Sequence, residues 1–381
     1  MEQEETLRGK SGGVLANVMR TLVKYGDAFG AGRLVPIKSA HLTGSFGMLP
    51  YTGYYDVLDK IADAGLKVKV PTTVNPRPGL DYSIVNRAAF AKQKRLEKAY
   101  AAIGVTPNYS CVCYLSHNVP SKGDILGWAE SSAVVFANSV AGARTNRNSI
   151  LVDVCGAVTG MVPEFGFLLD ENRRGQVLIK LDINRMDPAA LGFVIGGKII
   201  DRVPVIEHHP FSMEDLKNLG GAMAASGGVA LFHVEGLTPE APDLKTIFDG
   251  NPVETITISQ EDLDSVRSKK TDSANLVVFG CPQMTCEEAT AIAEKFHRRH
   301  SRKPVMFCMV PEERRKFDSS PMGQAARDAG IKTYEHCPLA ALTVRTGAKT
   351  VLTNSGKLYY YLSGTIFGTT DDCLEACGVR T

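Results

Sequence analysis

Three of the nine cysteines follow apolar, strand-like runs, at the point where each run ends. Open α/β sheets bind ligands outside the carboxyl ends of their parallel strands. Thiols at three such ends are therefore candidate ligands of one iron-sulfur or metal site. The competing interpretation is that each thiol is buried as a small hydrophobic side chain. The candidates are Cys111 after 106–110, Cys281 after 276–280 and Cys337 after 331–336.

The other cysteines give weaker signals. Cys111 and Cys113 form a C-x-C pair. If both lie on one strand, their side chains point to the same face of the sheet, and only one of the two need be a ligand. Cys286 shares the C-terminal part of the chain with Cys281, but no C-x-x-C pair occurs, which argues against a zinc ribbon or a ferredoxin. We interpret the remaining cysteines as buried hydrophobic residues. They are Cys155, Cys308, Cys373 and Cys377.

Polar side chains cluster after two predicted strands near the N-terminus. Ser39 and His41 follow the first strand, and Thr72, Thr73 and Asn75 follow the second. They place hydroxyls, an imidazole and an amide where the substrates of α/β enzymes bind. Capping and turn formation are the alternative roles for such residues. Taken together, the two groups favour a binding role.

Two further segments combine residues suited to anion binding. The run 128–147 has Ser132 on one side of an apolar stretch, and Arg144, Thr145 and Asn146 with a second arginine on the other. Guanidinium groups bind carboxylates or phosphates through paired hydrogen bonds, although a solvated loop has a similar composition. The second segment ends a predicted strand near a helix start and is a possible anion cradle. Its polar residues are Asn354, Ser355 and Lys357.

Short β-rich runs alternate with helical patterns along the whole chain, which is typical of α/β layers with mostly parallel strands. Thr285 and Glu288 form a T-x-x-E capping box, which predicts a helix through about residue 299 and places Cys281 in a strand-to-helix turn. The predicted strands are 34–38, 66–70, 177–182, 203–207, 228–234, 255–259, 276–279, 304–310, 331–334 and 349–353.

Length and composition limit the possible functions. A chain of 381 residues exceeds one ordinary core and predicts two or three packed units. Polar, mostly Pro-bearing stretches suggest the boundaries 1–185, 186–265 and 266–381. With 43 basic and 41 acidic residues, the chain has no general attraction to nucleic acid or membrane, so we expect a small ligand.

The N-terminus is polar and lacks the apolar core of a signal peptide, and the longest apolar run, 133–143, is broken by Asn138. Nine cysteines without the compact, even spacing of a disulfide framework are typical of a reducing compartment. We therefore expect a cytoplasmic protein with free thiols and no membrane anchor.

At this point the motifs resemble those of the aconitase X family, whose members include cis-3-hydroxy-L-proline dehydratase and archaeal mevalonate 5-phosphate dehydratase. The resemblance covers most of the chain and is to the large subunit or catalytic portion. It is carried by Ser39-Ala-His41, Val70-Pro-Thr-Thr73 with Asn75, Trp128-Ala-Glu-Ser-Ser132, Ala137-Asn-Ser139, Gly142-Ala-Arg-Thr-Asn-Arg147, Leu169-Asp-Glu-Asn-Arg173, Gly236-Leu-Thr-Pro-Glu-Ala241, Gly280-Cys-Pro282 and Thr353-Asn-Ser355.

The resemblance implies a multi-domain, aconitase-like fold of α/β/α layers that lacks the small swivel domain. It also implies an iron-sulfur cluster, of a nuclearity that the sequence leaves open, on Cys111, Cys281 and Cys337. The chain departs from the family pattern C-T-P-Y, because Cys113 stands in place of the proline. It departs again before the third ligand, where His336 replaces a threonine.

By the same resemblance the chain is a hydro-lyase that requires a small partner subunit, the swivel domain, carrying the catalytic serine. His41 and Ser39 are then the expected catalytic residues of this chain. The expected substrate-binding residues are Thr72, Thr73, Asn75, Ser132, Arg144, Thr145, Asn146, Asn354, Ser355 and Lys357.

The expected substrate is a small hydroxy acid of the cis-3-hydroxy-L-proline type, because 151–155 resembles that branch. The large subunit of a mevalonate 5-phosphate dehydratase is the alternative. Two alternatives belong to other classes: a non-catalytic, cluster-binding sensor subunit, and a zinc protein that uses the same three cysteines with a histidine.

Overall fold

The computed structural model describes residues 2–10, 12–44, 52–79, 87–252, 254–297, 299–343 and 350–379. Contacts between Cα atoms divide the chain into two compact units. Unit 1 comprises Met1–Tyr109 and Cys113–Arg174, and unit 2 comprises Ser110–Val112 and Gly175–Thr381. The short segment around Cys111 therefore belongs to unit 2. The three-unit division expected from the sequence stays a prediction.

Unit 1 contains a three-stranded parallel sheet in the order β3-β2-β4 and an antiparallel pair, β1-β5. In the parallel sheet His41 is paired with Thr73 on one side and with Trp128 on the other. The elements are α1 (Glu2–Leu7), α2 (Gly13–Ala28), β1 (Leu34–Pro36), β2 (Ser39–Leu42), α3 (Thr52–Asp63), β3 (Thr72–Val74), α4 (Arg87–Ile103), β4 (Leu126–Trp128), α5 (Ser131–Ser139), α6 (Ile150–Thr159) and β5 (Met161–Pro163).

Unit 2 contains a four-stranded sheet, β8-β7-β6-β9, and a five-stranded sheet, β12-β11-β10-β13-β14, with every described pairing parallel. Its elements are β6 (Val177–Asp182), α7 (Pro188–Ile199), β7 (Pro204–Ile206), α8 (Met213–Gly227), β8 (His233–Val234), α9 (Leu244–Phe248), β9 (Glu254–Ser259), α10 (Gln260–Val266), β10 (Leu276–Met284), α11 (Cys286–Glu294), β11 (Val305–Met309), α12 (Pro311–Asp318), α13 (Pro321–Asp328), β12 (Ile331–Tyr334), α14 (Pro338–Thr343), β13 (Val351–Thr353), α15 (Gly356–Tyr361), β14 (Thr365–Phe367) and α16 (Thr370–Ala376).

The expected α/β class with mostly parallel sheets is confirmed, and the strands predicted at 177–182 and 331–334 have those bounds. The capping box is also present: Thr285 Oγ1 accepts from the Glu288 N–H at 3.2 Å, and Glu288 Oε2 accepts from the Thr285 N–H at 2.7 Å. The helix ends at Glu294 rather than near residue 299, because His297 has a positive φ of 44°. The first predicted strand ends at Pro36, and 228–234 forms a strand only at His233–Val234. Lys349, in the last predicted strand, lies outside the described residues.

Three predictions near the candidate ligands are wrong. The run 106–110 is not a strand, because Pro107 has no N–H to donate and Tyr109 has a φ of 47°. Cys113 begins a 3₁₀ turn, so the C-x-C pair does not lie on one strand. Cys281 lies within β10 and not in a turn, since β10 extends through a shift of its register with β11 to Met284.

The strand predicted at 66–70 is also wrong, although the run is rich in β-forming residues. Backbone amides in this run bond to helices instead: Val68 N–H donates to Ile103 O at 2.9 Å and Lys69 N–H donates to Ala157 O at 2.8 Å. The strand forms after Pro71, as β3. Thr72 and Thr73 are consequently strand residues and do not follow a strand.

Helices α7 and α8 of unit 2 cross at glycines. A Cβ at Gly192 would lie 2.1 Å from Leu219 O, and a Cβ at Gly227 would lie 2.1 Å from Gly196 O. The backbones therefore approach more closely than any larger side chain permits. No helix among the described residues has both the length and the apolarity needed to cross a membrane.

We expect opposite effects from two alanine substitutions on α7. Gly192→Ala forces a methyl group into the backbone of α8 and should lower the free energy of unfolding by about 1–3 kcal/mol. Gly197→Ala, at a position with open space around it, should raise that free energy by about 0.5–1 kcal/mol through helix propensity. Urea unfolding followed by circular dichroism measures both, and equal effects would contradict the close crossing.

Candidate active site

The three candidate cysteine ligands lie around a fourth cysteine in unit 2. Cys308 of β11 is fully buried, and the pKa of its thiol is raised well above the usual range, first by burial. The charges of Cys337, Cys281 and Cys111 raise that pKa further. Direct contacts give the same proximity: Cys281 packs against the hydrophobic cluster that contains Cys308, and Gln283, two residues after Cys281, bonds to Cys111 and to the backbone of Glu335, two residues before Cys337. Their role as ligands stays a prediction.

The three candidate ligands are free, half-buried thiols. All nine cysteines are described and none forms a disulfide, and the three candidates are each half-buried. Within the described ranges, no group of three or more His, Cys, Asp or Glu side chains is arranged to hold one metal ion. Cysteine thiolates are the usual ligands of iron-sulfur clusters, so the residue type of the three candidates suits the expected cluster. Binding of a cluster there stays a prediction, and so does the zinc alternative.

The backbone next to Cys281 is held closely. Gly280 has a φ of 97°, and a Cβ there would lie 2.1 Å from Cys308 O, so only glycine permits the approach of β10 to β11. On the opposite side, Ser355 Oγ donates a hydrogen bond to Cys281 O and accepts one from Leu358 N–H at 3.0 Å. Ser355 thus caps α15 and fixes Cys281 at once.

The other two residues of the predicted anion cradle also lie in unit 2. Asn354 Nδ2 donates to Thr370 Oγ1 at 3.0 Å, and Lys357 is buried on α15. Asn354 lines both the pocket that contains Cys281 and a second cavity of about 260 Å³. The charged residues of the second cavity are one cation and four carboxyls: Arg185, Asp187, Glu214, Asp215 and Asp371.

A buried ion pair lies behind the Cys281 pocket. The Lys217 ammonium contacts Glu288 and donates to Gln283 O at 3.3 Å. Glu214 lines the same pocket, and its pKa is raised to about 7 by burial first and then by the charge of Glu288. A carboxyl group that titrates near neutral pH is suited to proton exchange.

His41 of unit 1 is completely buried, and both of its ring nitrogens have partners. Nδ1 lies 2.8 Å from Thr73 Oγ1 and Nε2 lies 2.8 Å from Asn75 Oδ1. Asn75 Oδ1 is an acceptor, so the imidazole carries its proton on Nε2 and donates it to Asn75. Thr73 Oγ1 accepts a hydrogen bond from Asn118 Nδ2 at 3.0 Å and donates its own proton to His41 Nδ1. Burial is the main cause that lowers the pKa of His41, which favours this neutral tautomer.

Ser39 and Thr72, on the same sheet, contact its backbone and its tryptophan. Ser39 Oγ accepts from Trp128 Nε1 at 3.3 Å, and Trp128 packs edge-on against His41 with ring centroids 5.9 Å apart. Thr72 Oγ1 donates to Val70 O at 2.8 Å. Unit 1 therefore brings together Ser39, His41, Thr72, Thr73 and Asn75. Their predicted positions are wrong, because Ser39 and His41 lie within β2 and the two threonines within β3, and their roles stay predictions.

Ser132 and Arg144 bind groups within unit 1. Ser132 Oγ donates to Glu130 Oε1 at 3.3 Å, at the start of α5. Arg144 Nη1 donates to Leu168 O at 2.8 Å, and Nη2 pairs with Asp170. Because the Asp170 side chain is 82% exposed, solvent screens this ion pair and it is weak.

Thr145 and Asn146 have structural contacts. Thr145 Oγ1 accepts from the Trp128 N–H at 3.2 Å and lies 3.1 Å from Trp128 O. Asn146 Nδ2 donates to Phe165 O at 2.9 Å, and its Oδ1 accepts from the Phe167 N–H at 2.8 Å. Both side chains use their hydrogen-bonding groups on the backbone, so a binding role for either one is not apparent from its contacts.

Sequence reasoning missed Glu214, whereas the interpretation of Cys308 as a buried hydrophobic residue is confirmed. Glu214 follows the N-cap Ser212, where acidic residues are common at helix starts. The position carries no signal in one sequence, because its raised pKa comes from burial and from the charge of Glu288.

Comparison with known proteins gives matches along the whole chain. The model of the aconitase X first domain matches residues 1–171, that of the second domain matches 175–268, and that of the third domain matches 274–378. A phosphomevalonate dehydratase large subunit from Methanosarcina mazei is 34% identical over 98% of this chain and 95% of that protein.

Two further comparisons extend these matches. A cis-3-hydroxy-L-proline dehydratase from Pseudomonas aeruginosa is 32% identical over 97% of this chain but only 68% of that protein. The crystal structure of Thermococcus kodakaraensis aconitase X in its holo-form superposes with a TM-score of 0.89, at 31% identity, covering 100% of this chain and 99% of that one.

We expect His41 to make folding pH-dependent. Its pKa in the folded chain lies below the usual 6.5, so below about pH 6.5 the unfolded chain binds a proton that the folded chain does not. The free energy of unfolding should therefore fall with decreasing pH, by at most about 1.4 kcal/mol per pH unit from this group. His41→Gln should flatten this slope in urea titrations between pH 7 and 5, whereas substitution of the exposed His208 should not. A slope unaffected by His41→Gln contradicts the buried neutral imidazole.

Proposed function

This chain belongs to the aconitase X family, and on that premise we propose that it is the large subunit of an iron-sulfur-dependent dehydratase. Its relatives are named dehydratases, which are hydro-lyases, and several are named large subunits. The observation that carries the proposal is that Gln283 joins the segments of Cys111, Cys281 and Cys337 in unit 2 through its hydrogen bonds. A small partner subunit, carrying the swivel domain and the catalytic serine, completes the enzyme.

The three thiols are proposed as the cluster ligands. A cluster held by these thiols would supply a Lewis-acidic iron that would assist departure of a substrate hydroxyl group. The chain's own contribution is to hold the surrounding groups in place. Ser355, bonded to Cys281 O, and Asn354, beside the same pocket, are suited to position a substrate next to the ligand cysteines.

His41 is proposed to orient neighbouring groups and not to exchange a proton with substrate. Its Nε2–H is directed to Asn75 and its Nδ1 accepts from Thr73, so no ring nitrogen is left to act as a base. The amide of Asn75 is then fixed by the imidazole. Glu214, with a pKa of about 7, is better suited than His41 to hold a proton at neutral pH.

Arg144 is proposed to bind the substrate carboxylate. Its guanidinium is only partly exposed, whereas its partner Asp170 is largely exposed. Because the Arg144–Asp170 ion pair is weak, a substrate carboxylate with better hydrogen-bond geometry can displace Asp170 from the guanidinium nitrogens at a small cost in free energy.

Among hydroxy acids we favour a substrate of the cis-3-hydroxy-L-proline type. The cavity of about 260 Å³ beside Asn354 is lined by four carboxyl groups and one guanidinium group. This excess of acidic groups suits a substrate with an ammonium group better than one with a phosphate. The alternative is mevalonate 5-phosphate. It is favoured by identity, since two relatives at 34% and 33% are named phosphomevalonate dehydratase large subunits and the hydroxyproline relative is 32% identical.

Substitution of each proposed ligand tests the cluster. After anaerobic reconstitution with iron and sulfide, Cys111→Ser, Cys281→Ser and Cys337→Ser should each retain less than about half of the wild-type iron and lose activity at least about 100-fold. Cys286→Ser is the matched control, a half-buried thiol of the same unit outside the candidate set. Iron analysis and visible spectra measure the outcome. Wild-type iron in all three variants would refute the ligand set, and bound zinc in a colourless protein would favour the zinc alternative.

An assay with the partner tests the reaction and its substrate. The chain co-purified with its small subunit should dehydrate cis-3-hydroxy-L-proline with a kcat/KM at least about 100-fold above that for mevalonate 5-phosphate, and the chain alone should turn over little. The reverse ranking would overturn the substrate assignment only. A cluster-loaded complex inactive on both substrates would favour the sensor alternative.

A further inference from the structure

Gln283 connects the segments that carry the candidate ligands. It lies on β10, two residues after Cys281, and its side chain is almost completely buried. Its Oε1 accepts a hydrogen bond from the Cys111 N–H at 3.3 Å. In the opposite direction, the Gln283 N–H donates to Cys111 Sγ at 3.4 Å. The segments of Cys111 and Cys281 are thus joined by a reciprocal pair of bonds within unit 2.

The amide nitrogen of the same side chain reaches the third segment. Nε2 donates to Glu335 O at 3.1 Å, two residues before Cys337, and to Met309 O at 3.0 Å, one residue after Cys308. Both amide protons and the amide oxygen are therefore used. Asparagine is one methylene shorter, and glutamate retains the acceptor but has neither N–H donor, so glutamine satisfies all three partners at this position.

The backbone of Gln283 is held as well. Lys217 Nζ donates to Gln283 O at 3.3 Å, and the same ammonium pairs with the buried carboxylate of Glu288. Because this ion pair is shielded from water, it holds the Lys217 ammonium in one position. The ammonium in turn holds the backbone carbonyl of Gln283.

We propose that Gln283 is the positioning residue that sets the spacing of the three thiols before any cluster is bound. This inference rests on the proposed function, because the spacing matters for a cluster on those thiols. The N–H donated to Cys111 Sγ further stabilises negative charge on that sulfur, as expected for an N–H near a metal-binding thiolate. The remaining contacts keep the backbones of the Cys111 and Cys337 segments in register with β10.

Two substitutions separate the contacts. Gln283→Leu removes all three side-chain hydrogen bonds with little change in volume, whereas Gln283→Glu retains an oxygen for the Cys111 N–H and loses both donors. Gln260→Leu is the matched control, because Gln260 Oε1 accepts from two backbone amides of the same unit, at Asn184 and Arg185, away from the thiols. Circular dichroism and thermal midpoints identify the variants that fold.

The first readout uses the cluster-free chain. A short bifunctional thiol reagent, followed by peptide mass spectrometry, should link Cys111 to Cys281 or Cys337 in the wild type and in Gln260→Leu. The yield should fall at least about threefold in Gln283→Leu and less in Gln283→Glu. The second readout is the rate at which a chelator removes iron from the reconstituted chain, which should rise about tenfold or more in Gln283→Leu.

The outcomes separate the two proposals. Folded Gln283→Leu with wild-type cross-linking and wild-type iron loss would overturn the positioning role. If Gln283→Leu does not fold, Gln283→Glu decides the question by the same two measurements, and wild-type values there would overturn the role too. If the wild type binds no iron, the proposed function fails, and the cross-linking yields still decide whether Gln283 sets the thiol spacing.

Discussion

Parallel pairing of β10 with β11 and of β11 with β12 is the constraint on which the candidate site depends. The pairing sets Phe279 opposite Phe307 and Cys308 opposite Tyr334, so the three strands end near one edge of their sheet. Cys281 lies in β10 beyond Phe279, Cys337 follows β12, and Gly280 permits β10 to approach the Cys308 carbonyl. A slip of one residue in either pairing would turn the Cys308 side chain to the opposite face of the sheet.

Much of this arrangement could be predicted from the sequence, for a physical reason. Apolar runs with turn residues after them reveal buried parallel strands, and the T-x-x-E pattern reveals the start of α11. The segment of Cys111 could not be predicted, because Pro107 and the left-handed Tyr109 prevent a strand there. Its place in unit 2 comes from Gln283, more than 160 residues away in the sequence.

The polar residues of unit 1 show why a strand end with several hydroxyls and amides is an ambiguous signal. His41, Thr73 and Asn75 form one buried hydrogen-bonded set, whereas Thr145 and Asn146 bind the backbone of their own unit. Both kinds of residue satisfy buried polar groups, which any fold requires. A single sequence gives the types and spacing of such residues. The hydrogen-bond partners of each side-chain atom are needed to distinguish a residue that can bind a ligand from one that stabilises a loop.

The membership of Ser110–Val112 in unit 2 also bears on biosynthesis. The thiol of Cys111 is translated long before Cys281 and Cys337, yet its hydrogen-bonding partner is Gln283. A nascent chain that has not yet released residue 337 from the ribosome therefore lacks the complete thiol set, whatever the state of its first half. On the proposed ligand set, a cluster could be inserted only after residue 337 has been translated, and a truncated product would lack one of its three ligands.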